Sequence, residues 1–460
     1  MRKPIDKAQT WVYNSITLDL AYLLYTSTPK MSRVFEKIMF YILRVRTIME
    51  RTILHCDMNN FYASVECFLN PKLKPYPVAV CGSAEERHGI VLAKNYKAKA
   101  FGVSTGEAIW QAKQKCKDLV VVPPHYEEYM KFSKAAREIY EDYTDQVEAF
   151  GMDECWLDVT GSTMVMGSGE KIANEIRERI KFELGLTISA GVSFNKVFSK
   201  LGSDMKKPDA VTCIPKEHFK EMIWKLPASE MLGVGRATEK KLSSFGIRTI
   251  GDIANWPVDF FTRKLGKCGT DLWRFANGLD QSQVASIDAE VPVKSVGHGI
   301  TTLQDLEDSA EVWKVMLALC QEIGHKLYTY NKKATGIAID IRDNQLFTKQ
   351  WQRGIPVSTQ SPSLIAREAF DLFQARYEWK NPIRSLTVRA INLVSTDFAD
   401  QLNIFCDAEQ MDRRERLDHV IEDIRRRFGK SIICNACLLN NPKMPPDCET
   451  KVIMPTGVPI

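Results

Sequence analysis

The sequence predicts a multidomain α+β protein, and three observations predict it. The chain has 460 residues, more than one ordinary core accommodates, so about two to four domains are expected. Short apolar runs alternate with amphipathic helical patterns over 51–215, which reads as an α/β sandwich over an antiparallel or mixed sheet. The pattern is then helical and short-looped over 216–285, and strand-rich again over 300–400.

The elements follow from local chemistry. Residues 51–57 read as a first strand, and a helix from Tyr62 through Phe68 stops at Asn70-Pro71. Strands follow at Val78–Val80 and Ile90–Ala93, then a Phe101-Gly102 turn, a short helix Ala108–Lys115, and a strand Leu119–Val122 ended by Pro123-Pro124. Tyr129, Phe132, Ala136, Ile139 and Tyr140 recur at helical spacing, so Glu127–Tyr140 is a helix. Val147–Phe150 leads toward the acidic pair, Cys155–Val159 continues as a strand, Lys171–Lys181 is a helix, and Thr187–Val192 is a strand rich in small and β-branched residues. Further on, helices are expected at 309–328 and 363–375, and alternating strands at Thr335–Ile341 and Leu386–Leu393. A basic helix, Met411–Phe428, carries Arg413, Arg414, Arg416, Arg425, Arg426 and Arg427.

Composition narrows the class. Apolar content of 45% and charged content of 26% suit a soluble globular protein, and a net charge of +5 suits an anionic partner without establishing one. Twelve cysteines in 460 residues are too dilute for a disulfide scaffold. They lie in apolar runs, as at Cys56, Cys155, Cys213 and Cys320, which fits a reducing cytosol. Cys434 and Cys437 have metal-like spacing, but no nearby histidine completes four ligands. The apolar stretches Leu18–Leu24 and Ile38–Leu43 are too short and interrupted for a membrane span, so no membrane role is expected. Residues 1–48 read as an extension or a misplaced start, with Met49 just before the first convincing strand.

Three carboxylates stand out. Asp57 ends the run Ile53-Leu54-His55-Cys56, and Asp153-Glu154 precedes Cys155-Trp156-Leu157. A buried charge must be paired or bound to metal, and Mg2+ prefers carboxylate and phosphate oxygens. Two-metal phosphoryl transfer needs such ligands around cations about 3.5–4 Å apart. Adjacent strand residues point opposite ways, so Asp153 and Glu154 cannot serve the two metals equally. Read alone, either motif could also be a pair of capped surface acids.

The wording around these acids carries more. His55-Cys56-Asp57-Met58-Asn59-Asn60-Phe61-Tyr62-Ala63-Ser64-Val65-Glu66 and Gly151-Met152-Asp153-Glu154-Cys155-Trp156-Leu157-Asp158 resemble the palm of Y-family translesion DNA polymerases. Within that family they resemble the bacterial DNA polymerase IV/V group. The resemblance continues through Asn95–Gly102 and Gly191–Pro208, and covers about residues 51–405. It implies a right-hand polymerase with a ferredoxin-like palm (49–62 and 119–215) and small fingers (63–118). A helical thumb (216–285), a linker (286–294) and an α/β little finger (295–400) would follow, then a clamp-binding peptide and tail (401–460).

The resemblance also implies roles. Asp57, Asp153 and Glu154 would hold two Mg2+ ions, joined by the Met58 carbonyl. Tyr62 would be the steric gate against a 2′-hydroxyl. Tyr96, Lys99 and Lys200 would hold the triphosphate, although arginine is common where Lys99 stands and an acid where Asn59 stands. The Gly233-Val234-Gly235 turn, with Lys240 nearby, looks like a helix-hairpin-helix that grips DNA backbone. Lys332, Lys333, Arg342, Arg384 and Arg389 are candidate phosphate contacts in the little finger. Gln401-Leu402-Asn403-Ile404-Phe405 resembles the pentapeptide that docks on the bacterial sliding clamp. Primer-template DNA, deoxynucleoside triphosphates and that clamp are the implied partners of a monomeric, low-fidelity, damage-tolerant polymerase in the cytoplasm, associated with the nucleoid. The alternatives are a catalytically weak DNA- and clamp-binding regulator, and a nucleotidyl cyclase, for which the long 216–400 region has no use.

Overall fold

The computed structural model describes residues 50–444 apart from 86, 88, 290–291, 399–407 and 440–442. Residues 1–48 and the pentapeptide 401–405 therefore lie outside the described residues. Three sheets and a helical segment each have a hydrophobic core of their own.

The first sheet has the order β5-β6-β1-β7-β8, from Val147–Ala149, Glu154–Asp158, Ile53–Met58, Ile188–Ser193 and Val211–Ile214. All pairings are antiparallel except β7 with β8. All six residues of β1 are buried, as expected of a strand paired on both edges and covered on both faces. Helices α1 (Phe61–Leu69), α4 (Tyr126–Glu141) and α5 (Gly169–Arg179) contribute Phe61, Val65, Tyr129, Tyr140, Ile172 and Ile176 to one core with Leu54 and Cys56.

Helix α6 (Lys196–Met205) lies against the other face. The Asn195 side chain caps it, accepting from the Phe198 N–H at 2.8 Å. Its approach depends on Gly191, where an added Cβ would sit 1.9 Å from the Ser199 carbonyl oxygen. That contact lets the backbone of α6 press onto β7 and carries Lys200 toward the end of β1.

The second sheet, β3-β2-β4, comprises Val91–Lys94, Val78–Cys81 and Val120–Val122. Helices α2 (Tyr96–Ala100) and α3 (Ile109–Lys115) flank it in sequence. Short helices α7 (Phe219–Ile223), α8 (Arg236–Ser243), α9 (Ile250–Asn255), α10 (Val258–Leu265) and α11 (Lys267–Ala276) follow the first sheet and share one core. The third sheet, β11-β10-β12-β9, is wholly antiparallel and comprises Thr348–Thr359, Lys332–Asp343, Ile383–Ser395 and Ser295–Leu306. One face packs Ile337, Ile339, Ile341, Leu386 and Val388 against α12 (Ser309–Thr329) and α13 (Pro362–Arg376). Among the described residues, no helix packs on the other face.

Four outcomes differ from the sequence reading. The strand β11 was not expected: it is a polar edge strand, which tolerates Pro356 because only one side pairs. The expected helix ending near Leu226 stops at Ile223, and a 3-10 turn, Ala228–Glu230, precedes the glycine turn. The chain entering the 286–294 linker is seated rather than loose. Val284 packs with Ile53 and Trp156, the Ala285 N–H donates to Glu148 at 2.8 Å, and the Ile287 N–H donates to the Asp145 carbonyl at 3.0 Å. The basic helix α14 (Ala408–Phe428) turns its acids inward: Glu415 meets Thr359, Asp418 meets Ser361 and Ser363, and Glu422 meets His325. Of its arginines, Arg425 also turns in, toward Gln321 and the Ile433 carbonyl.

Candidate active site

The pairing of β1 with β6 sets the site. Asp57 lies directly opposite Glu154, and opposite residues of an antiparallel pair project from the same face. The Met58 N–H donates to the Asp153 carbonyl at 2.9 Å, which brings the third acid to the same strand end. Asn60, at φ 49, then turns the chain from β1 into α1.

Two lysines bind these acids. Lys200 Nζ lies 2.9 Å from Glu154 Oε1, 3.5 Å from Asp57 Oδ2 and 3.3 Å from Asp204. Lys207 Nζ lies 2.7 Å from Asp57 Oδ2 and 2.9 Å from Asp204. Burial alone would lower the Lys200 pKa, but Glu154, Asp204 and Asp57 together hold it above its ordinary value. Burial raises the Asp57 carboxyl, against the pull of Lys207. Burial, then the charges of Asp57 and Glu154, push Asp153 up to about 7. Crowded carboxylates of this kind favour added positive charge. Among the described residues no three His, Cys or acidic side chains form a ready metal cage. The oxygen-only donor set nonetheless fits a hard divalent cation, and Lys200 and Lys207 are the positive charges beside it.

His55 supports this face from below. Ser203 Oγ donates to the Lys200 carbonyl at 2.7 Å, so it accepts from His55 Nδ1–H at 2.8 Å. Burial, then Lys200, lowers the ring's pKa to about 3, leaving it neutral. Its Nε2, which has no hydrogen-bond partner, faces Glu154 Oε2 at 3.5 Å.

Tyr62 stands on α1 beside the acids. Its ring stacks on Tyr129 with centroids 4.3 Å apart, and its hydroxyl donates to Met152 Sδ at 3.3 Å. Burial, then Asp153, pushes its phenol up to about 12, so it remains neutral. Phe61 is buried beneath it. Tyr96 begins α2, close enough to Lys207 and Asp57 for both to influence its ionisation, although burial dominates. Lys99 is exposed on the same helix, its Nζ 5.7 Å from the Tyr96 ring centroid.

Comparisons with known proteins identify the family of the chain. Residues 56–204 match the impB/mucB/samB family, 293–404 match that family's C-terminal domain, and 229–280 match a DNA polymerase-iota thumb domain. The chain is 51% identical to the DNA polymerase IV of Acetivibrio thermocellus over 393 residues, covering 85% of this chain and 98% of that relative. The chain belongs to the Y-family DNA polymerases. It is also 36% identical to DNA polymerase IV 1 of Bacillus subtilis, over 83% of this chain and 92% of that one. Its fold matches the solved Y-family DNA polymerase chimera Dbh-Dpo4(243-245)-Dbh with a TM-score of 0.66 at 23% identity, covering 75% of this chain and 99% of that structure.

As a Y-family polymerase, the protein is a DNA-directed DNA polymerase of the multidomain α+β type, with DNA and nucleotides as substrates. Its family uses divalent metal ions. The other candidates from the sequence fall into two groups. Gly233, at φ 90, makes the turn that only glycine adopts cheaply, and Gly235 is the N-cap of α8. Lys240 is exposed on that helix. In the third sheet, Arg342 is exposed and Arg384 half-buried near one sheet end. Arg389 is already paired with Asp340 at 3.0 Å, and Lys333 lies 4.0 Å from Glu415, so these two are less available than the sequence suggested. Lys332 is half-buried at the start of β10.

Sequence reasoning missed Lys207 and His55. Lys207 was visible only as a lysine before a proline; its signal would have been the Asp204 three residues earlier, which anchors it. Asn59, a departure from the family pattern, is a buried tie: its Nδ2 donates to Ser189 at 3.0 Å and its Oδ1 accepts from the Asp209 N–H at 2.9 Å.

Proposed function

We propose that Asp57, Asp153 and Glu154, with the Met58 carbonyl, hold two Mg2+ ions at which deoxynucleotides join a primer 3′-hydroxyl. The observation that carries this reading is Asp57 opposite Glu154 on paired strands, beside Asp153, with Lys200 and Lys207 against them. Bound cations would supply Lewis acidity at the α-phosphate and acidify the attacking hydroxyl. The protein's own part is positioning. Lys200, Lys207, Tyr96 and Lys99 receive the triphosphate, whose oxygens replace the carboxylates as lysine partners. The Tyr62 ring lies under the sugar and excludes a 2′-hydroxyl.

In this reading 49–62 and 119–215 are the palm, 63–118 the fingers, 216–285 the thumb, 286–294 the linker and 295–400 the little finger. Gly233, Gly235 and Lys240 grip phosphates without reading sequence, and Lys332, Lys333, Arg342, Arg384 and Arg389 add contacts from the little finger. A small fingers unit holds the nascent pair loosely, which gives low fidelity and bypass of damaged bases. The polymerase acts as a monomer on chromosomal DNA in the cytoplasm, at the nucleoid. Gln401, Leu402, Ile404 and Phe405 dock it on the sliding clamp. Clamp-stimulated extension lost in Leu402→Ala with Phe405→Ala, with clamp-free extension kept, supports that handle; surviving stimulation removes it.

Primer extension with Mg2+ tests the catalytic reading. Wild type extends, and Asp153→Ala binds primer-template DNA without extending it. Extension by Asp153→Ala at the wild-type rate would overturn the assignment.

A further inference from the structure

We propose that the β10–β11 hairpin tip carries a stacking platform for unpaired template bases ahead of the catalytic site. The inference rests on the reading that the four-stranded sheet is a DNA-contacting domain. At the tip, Phe347 is 71% exposed and Leu346 54% exposed, and the neighbouring Trp379 is 40% exposed. Large apolar side chains held in water at one point need an occupant.

Hydrogen bonds hold the display in place. Asp343 Oδ1 accepts from the N–H groups of Gln345 at 2.9 Å and Phe347 at 3.0 Å. Its Oδ2 accepts from Asn381 Nδ2 at 3.0 Å, and the Asn344 N–H donates to the Pro382 carbonyl at 3.0 Å. The loop carrying Trp379 is thereby fastened to the hairpin. Leu346 is held at φ 69, a conformation branched apolar residues rarely adopt, while Arg342 Nε donates to its carbonyl at 3.3 Å. Such a conformation persists where surrounding contacts fix it, often at binding sites.

Position and charge select the occupant. Asp343 pairs with Ile383, and Ile383 with Leu306, so the tip and the end of β9 share one end of the sheet. At that end Asp305 pairs with Arg87, between β2 and β3 of the second sheet, at 2.5 Å. Strands about 4.8 Å apart place the tip two strand spacings from that contact. The tip therefore stands beside the unit that bears Tyr96 and Lys99. Arg342 and Lys349 flank the tip on β10 and β11, and Arg384 follows Ile383 on the neighbouring β12; Asp343 is spent within the turn, and Glu378 is paired with Lys380 at 3.2 Å. Aromatic rings among cations suit single-stranded nucleic acid, whose bases stack while its phosphates meet the charges.

The test uses the full chain and fluorescence anisotropy with two primer-templates of equal duplex length, one with a 5′ single-stranded template overhang and one blunt. Phe347→Ala should weaken binding of the overhang DNA at least about fivefold, with blunt DNA within about twofold of wild type, and Phe347→Trp should restore it. Equal loss on both DNAs, or no loss on either, overturns the platform. Arg384→Ala separates the two levels of the argument. If it weakens both DNAs while Phe347→Ala weakens neither, only the platform fails. If Arg384→Ala also changes neither, the DNA-contacting reading of the sheet fails with it.

Discussion

Lys207 donates to Asp57 across 2.7 Å and is steadied from behind by Asp204 at 2.9 Å. An ammonium group thus sits against a carboxylate that the two-metal reading assigns to the cations. In the proposed reading, nucleotide binding would exchange that partner for phosphate. Lys207→Ala should raise KM for deoxynucleotides by about tenfold to a hundredfold, the loss of one charged hydrogen bond of about 1.5–3 kcal/mol. Steady-state incorporation measures this, and an unchanged KM would make Lys207 a structural counter-ion only.

The acid cluster also sets a pH dependence. Burial, then Asp57 and Glu154, raise the Asp153 carboxyl from 3.8 to about 7. Between those values the folded chain holds the proton more tightly than the unfolded chain, so its contribution to stability falls as pH rises through them. A cation competes with the same proton. Mg2+ should therefore raise the melting temperature more at about pH 7.5 than at about pH 5.5. Thermal scans at both pH values check this, and the difference should shrink in Asp153→Asn. An equal Mg2+ shift at both pH values would contradict it.

Tyr62 stacks on Tyr129, which in turn donates to the buried Glu66, so the ring proposed as the gate is supported from one side. Tyr62→Ala should increase ribonucleotide incorporation about tenfold or more relative to deoxyribonucleotide, while Tyr62→Phe keeps the selectivity. Competition between the two nucleotides measures the ratio. Unchanged selectivity in Tyr62→Ala would remove it from the gate.

Gly191 has no room for a side chain against the Ser199 carbonyl. Gly191→Ala should destabilise the fold by about 4 kcal/mol or more, because backbone must move. Chemical denaturation reads the change, and a loss under about 1 kcal/mol would mean α6 shifts freely on β7.

Much of this was legible in the chain. The acids flanked apolar runs, and the run before Asp57 read as the first strand, which the structure has as β1. Tyr62 followed at a helix start. What stayed hidden depends on contacts between distant segments. Lys207 reaches Asp57 across 150 positions, and the Ser203–His55 tie spans 148. Neither leaves a local pattern. The strand β11 is polar along its exposed edge and interrupted by Pro356, so its alternation is weak. The inward turn of the acids on α14 was hidden for a similar reason. A helix rich in arginine reads as basic whichever face packs, and only its partners Thr359, Ser361 and His325 decide the face.

The most direct measurement counts cations. Mn2+ binding is titrated by electron paramagnetic resonance in a complex of the polymerase, a primer-template ending in a 3′-dideoxynucleotide and the next correct nucleotide. Two tightly held Mn2+ ions per chain are predicted for wild type, with at least one lost or greatly weakened in Asp153→Ala. Two ions held with undiminished affinity by Asp153→Ala would contradict the assignment of Asp57, Asp153 and Glu154 as the seat of the metals.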